Sequence, residues 1–141
     1  MFKLSLVSLL GALLISANAL AQLPPSESPE AAEVYIVSPA NGDTVSSPVT
    51  VVFGLKGMGV APAGVERDNT GHHHLLIDQD ELPEVGVTMG GEVIHFGGGQ
   101  TEVTLELEPG SHTLQLVLGD YLHRPHQPIV ASEKIEITVS D

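Results

Sequence analysis

The chain has no cysteine, which removes disulfide cross-links and any thiolate nucleophile. Basic residues are scarce too: five lysines and arginines stand against eighteen aspartates and glutamates, a formal net charge of −13. That balance argues against nucleic acid and anionic membrane surfaces as partners, because both reward the opposite sign. No stretch carries a helical period. There is no Ser-His-Asp signature and no Gly-x-Ser-x-Gly. Gly97-Gly98-Gly99 lacks the Gly-Lys-Ser/Thr ending and following helix of a phosphate loop, and reads as a tight turn near His95.

Seven histidines are present, all between residues 72 and 126. Three of them, His72-His73-His74, run directly into Leu75-Leu76-Ile77-Asp78; the others are His95, His112, His123 and His126.

The 141 residues suit one domain. Residues 1–21 read as a secretory signal peptide: a basic start at Lys3, an apolar run from Leu4 to Ala17, and a small-x-small site at Ala19-Leu20-Ala21. The apolar core is too short for a membrane span, and no cysteine follows for a lipid anchor. The expected location is therefore the periplasm or the extracellular space, with no membrane insertion after cleavage. Losing Lys3 moves the formal charge from −13 to −14. Such acidity serves solubility and mildly concentrates cations near the surface. Residues 22–33 are polar, proline-rich and acidic, and read as a disordered spacer. Residues 34–141 form the domain, which without disulfides must stand on its hydrophobic core, with or without a metal.

Alternation then dominates. Val34–Val37 is a short strand ended by a Pro and Asn-Gly turn. Val49, Val51, Phe53 and Leu55 share a face, as do Val103, Leu105 and Leu107, then Leu114, Leu116 and Leu118, and finally Ile135, Ile137 and Val139. Glu92–Phe96 reads as a short strand. The segments 57–71, 79–91 and 119–128 read as loops. About seven short strands without helices predict an all-β, immunoglobulin-like antiparallel sandwich, with a small barrel as the alternative.

On a strand, His72, His74, Leu76 and Asp78 share one side, and His73, Leu75 and Ile77 the other. His73 is expected in the core, hydrogen-bonded to backbone. Histidines at i and i+2 can chelate one ion, and neutral imidazole suits copper and zinc. Further ligands are available in His95, His123 and His126, with His112 and the soft thioether of Met58 as weaker candidates. Asp78, Glu102 and Asp120 are candidates to orient an imidazole. The competing reading makes the pair ordinary hydrogen-bonded residues at a sheet edge.

The segments Gly57–Gly64, Asn69–Asp78, His95–Glu102 and Pro109–Leu116, with Gly119-Asp120 through His123, Pro125-His126 and Pro128, resemble a bacterial secreted family, domain of unknown function 4399. The resemblance covers roughly residues 54–139. It implies that the histidine segments form one family-wide site and assigns it no activity.

Three functions follow as expectations. The first is a metal-binding protein holding copper or zinc, its protein partner unspecified. The second is a structural or interaction module of the cell envelope without metal. The third is a copper-dependent, dismutase-like oxidoreductase. Against the third stand the missing cysteine pair and histidine spacing of the copper–zinc dismutases and a mature N-terminus at Gln22.

Overall fold

A computed structural model describes residues 23–141. The signal-peptide expectation over 1–21 lies outside the described residues. Nine strands form in chain order: β1 (Glu33–Ser38), β2 (Thr44–Ser46), β3 (Val49–Lys56), β4 (Gly59–Val60), β5 (Thr70–Ile77), β6 (Ile94–His95), β7 (Glu102–Leu105), β8 (Gly110–Gly119) and β9 (Ile135–Ser140). No helix forms among the described residues.

The strands make two sheets, one ordered β1-β3-β7 and the other β2-β9-β8-β5-β4, with β6 also on β5. Omitting the three shortest strands leaves the first, second and fourth in one layer and the third, fifth and sixth in the other. That is the division of an immunoglobulin-like sandwich. The all-β sandwich expectation holds, and no closed barrel forms among the described residues. Pairing is antiparallel except for β2–β9 and β4–β5, which run parallel. β4 lies within the expected loop 57–71 and β2 where no element was expected, because two or three residues of backbone pairing carry no alternation to read.

The alternating apolar residues close the core between the layers. Val51 and Phe53 from β3 meet Leu75 from β5, Leu114, Leu116 and Leu118 from β8, and Ile137 from β9. β5 is central: it pairs with β8 over His72–Ile77 and, on its other side, with β4 at Thr70–Gly71 and β6 at His74–Leu75.

The outer face of this sheet is covered as well. Leu76 and Val117 form a second cluster with Met89 and Val93, against which Ile129 and Ala131 pack. The loops 79–93 and 120–131 thus roof the outer side of β5 and β8.

Leu23–Ala32, whose composition reads as a disordered spacer, lies docked against this roof. Glu27 bridges Gln127. Ser28 N donates to Gln127 O at 3.1 Å, Gln127 N to Ser26 O at 2.9 Å, and Ser28 Oγ to Pro128 O at 2.6 Å.

Leu116 has no exposed surface and lies in the main core. Leu116→Ala should cost about 2–5 kcal/mol in urea unfolding. A loss below about 0.5 kcal/mol, typical of surface positions, would place the side chain outside the core.

Candidate metal centre

Strand parity puts His73 with Leu75 on the core side, where its ring lies 5.1 Å from that of Phe53. His72 and His74 fall on the outer side, beneath the roof, each at most 1% exposed. They face away from the core yet not into solvent, because loops cover them. The register then supplies a third ring. His95 on β6 pairs directly with His74, and residues directly opposite bring their Cβ atoms within about 5 Å.

The fourth ring comes from the loop after β8. Asp120 builds that loop: its Oδ1 accepts from the Leu122 and Arg124 amides at 2.9 and 3.0 Å, and its backbone oxygen accepts from His123 N at 2.9 Å. His123 itself sits at φ 61°. A left-handed non-glycine residue costs roughly 1–3 kcal/mol, so the turn holds His123 against a local preference. The result aims its ring back at β5. Arg124 is buried and ties the turn down, donating from Nη2 to Asp120 Oδ2 at 2.8 Å. The same guanidinium donates to Leu23 O at 3.1 Å and Pro24 O at 3.3 Å. Asp120 therefore serves His123 through the backbone and not by contacting a ring. Burial opposes its ionisation, but Arg124, Ser26 and the turn amides outweigh that and keep its carboxyl below the usual range.

The four rings converge. One nitrogen from each of His72, His74, His95 and His123 lies within 4.8 Å of all the others. His72 Nε2 is 3.1 Å from His123 Nδ1 and 3.1 Å from His95 Nε2. Ring centroids of His95 and His123 are 4.3 Å apart, those of His72 and His74 4.7 Å. A cleft of about 210 Å³ reaches the cluster, lined by His74, His95 and His123 together with Met89, Gly90 and Val93.

Two glycines make room for the rings. A Cβ at Gly119 would come within 2.4 Å of His74 Cε1, and one at Gly97 within 2.3 Å of His95 Cε1. Both distances are far inside van der Waals contact. From sequence alone Gly97 is a turn residue and Gly119 a loop boundary; the structure gives each a second role.

Burial sets the protonation. It is the largest cause that lowers His72 to about 4 and His74 to about 3, with the neighbouring imidazoles adding to it. Burial, then His123, also lowers His95. Neutral rings carry free lone pairs at pH 7, as metal ligation requires. His72 Nδ1 and both nitrogens of His74 are buried without a hydrogen-bond partner.

The remaining candidates go elsewhere. His126, expected as a ligand, is buried with its ring nitrogens 3.3 Å from Leu118 O and 3.2 Å from Thr70 O, bolting β8 to β5. His112 lies at the opposite end of β8. Its Nδ1 donates to Asp78 Oδ2 and its Nε2 to Glu108 O, both at 2.8 Å. Two acceptor oxygens call for the doubly protonated ring, and the Asp78 bond raises the pKa of His112. No lone pair is left for a metal. Asp78 does orient an imidazole, but away from the cluster. Met58 packs on the main core, and Glu102 sits on β7 in the opposite sheet, paired with Val52. His73 takes the expected core position without the expected backbone bond: neither ring nitrogen has a partner. Burial lowers its pKa to about 4, against a smaller upward pull from the Gln100 backbone.

The fold and cluster define an all-β sandwich with a roofed four-histidine centre that could hold a metal ion. Residues 51–140 match the family described as Domain of unknown function (DUF4399), and the chain belongs to that family. The matched span runs from β3 to β9 and holds all seven histidines. No curated protein matches the chain. Among solved structures it is similar to the fibronectin(III)-like modules of Clostridium thermocellum CbhA. That match has 14% identity and a TM-score of 0.40, over 77% of this chain and 45% of the other. The chain thus spans less than half the length of that relative.

The lowered pKa values fix the sign of the acid response in chelator-treated protein. His72, His73 and His74 stay neutral in the fold to about 4, 4 and 3, whereas in the unfolded chain they take up protons near 6.5. Their contribution is complete above pH 6.5 and is lost as pH falls toward 4. His112, with its raised pKa, works in the opposite sense. The urea midpoint should fall steadily from pH 7 to pH 4; a flat profile would show that these rings are not buried neutral.

Proposed function

We propose that this domain binds a copper or zinc ion through His72, His74, His95 and His123. One observation carries the reading. A single nitrogen, His72 Nε2, lies 3.1 Å from two other ring nitrogens. A neutral imidazole nitrogen is either one donor or one acceptor, so it cannot satisfy both neighbours by hydrogen bonding. A cation between the rings accepts all the lone pairs at once. Metal–nitrogen bonds of about 2.0–2.1 Å place tetrahedral ligand atoms about 3.3 Å apart, close to both contacts. The wider separations within the cluster, up to 4.8 Å, require it to contract around the ion.

The donor set supports copper or zinc over calcium or magnesium, which take oxygen ligands. Export supports the same reading: the N-terminal segment has the pattern of a secretory signal, and the cluster would then meet metal in the periplasm or outside the cell. The remaining cleft residues, Met89, Gly90 and Val93, supply no acid or base. That favours holding an ion over general acid–base chemistry.

Titration calorimetry of the chelator-stripped mature chain should give one site for Zn(II) or Cu(II) tighter than about 10 µM, roughly −7 kcal/mol. His72→Ala/His74→Ala should abolish it, while His112→Ala should leave it intact. Absence of binding at that concentration would refute the proposal.

Gly119→Ala offers a more delicate check. Its Cβ would displace the His74 ring without removing a ligand, and affinity should fall at least about tenfold, or 1.4 kcal/mol. Unchanged affinity would mean that His74 does not ligate from this position.

A further inference from the structure

Met89 is the one cleft residue with a donor atom besides the histidines. Its backbone N donates to His123 O at 2.9 Å, which ties it to the turn that presents the fourth ring. Its side chain is 9% exposed and packs with Leu76, Val93 and Val117. A Cβ at Gly119 would meet both His74 Cε1, at 2.4 Å, and Met89 Cε, at 2.9 Å. The thioether end and the His74 ring edge therefore crowd the same point beside the cluster.

We propose that Met89 is an additional ligand of this centre and makes it a copper site that retains Cu(I). The inference rests on the four-histidine reading and adds the identity of the ion. A thioether is a soft donor that suits Cu(I), whereas zinc takes imidazole, thiolate and carboxylate. Methionine is unbranched, with three rotatable bonds, so its sulfur can turn toward an ion with the backbone fixed by the His123 bond. The surrounding Leu76, Val93 and Val117 supply an apolar wall. Such a wall adds no charge and favours the lower-charged copper state. The other methionine of the domain, Met58, packs on the main core and serves as the internal control.

The test uses the full mature chain loaded with Cu(I) or with Zn(II), compared with Met89→Leu and Met58→Leu. X-ray absorption at the copper edge should show a sulfur scatterer in the wild type and in Met58→Leu, and none in Met89→Leu. Competition against a chromophoric Cu(I) chelator should show at least a tenfold loss of Cu(I) affinity in Met89→Leu. Zn(II) affinity should stay within about twofold, which a merely misfolded variant would not allow. Nitrogen-only copper in the wild type, or equal Cu(I) affinity in Met89→Leu with zinc binding intact, overturns the role of Met89 and leaves the four-histidine site standing. Failure of the wild type to bind either ion overturns both.

Discussion

Burying an imidazole nitrogen with no hydrogen-bond partner costs about 1–3 kcal/mol, and β5 does this several times in succession. His72 leaves one nitrogen unpartnered, and His73 and His74 leave both. The arrangement around them answers that constraint on one face of the strand. Period-two geometry sends His72 and His74 to the same side, the β5–β6 register sets His95 opposite His74, and the Asp120 turn brings His123 over them. The four share a centre that could hold a metal ion, which would take one lone pair from each ring. His73, on the core side, has no such outlet. Its orphaned nitrogens are a net cost that packing against Phe53 must offset.

The same chemistry separates the cluster from the histidines outside it. His112 has a carboxylate and a carbonyl to bond, and His126 has two carbonyls within reach. Both contact protein oxygens away from the cluster and act as structural clips. The cluster rings have mainly one another. Around them the chain is braced from unexpected directions. Arg124 joins the turn to Leu23 and Pro24, so the docked N-terminal segment and the ligand-bearing loop hold each other in place. Gly97 and Gly119 contribute by lacking a side chain.

The strands that bury a continuous apolar face were legible in advance. Val51 and Phe53, Leu114 to Leu118, and Ile137 and Val139 alternate as the core requires, and parity alone separated His73 from His72 and His74. His95 and His123 were among the candidates, but nothing local distinguished His123 from His126. That choice depends on a left-handed backbone at His123 and on which carbonyls lie near His126, both consequences of the folded turn. The roof over the outer face was illegible for a related reason: residues 79–91 have loop composition, and only the tertiary arrangement lays Met89 and Val93 on Leu76 and Val117. Met58 is a candidate in the sequence for its soft thioether alone, yet it packs on the main core. Met89, which the sequence does not single out, is the methionine that reaches the cleft.

Metal binding at this centre requires four particular imidazoles to share one ion. Nitrogen-15 NMR of the histidine rings, recorded with and without one equivalent of Zn(II), tests this sharing. His72, His74, His95 and His123 should each shift one ring nitrogen to the metal-bound range while His112 and His126 keep their spectra. Shifts confined to His112 or His126, or spread evenly over all seven histidines, would contradict it.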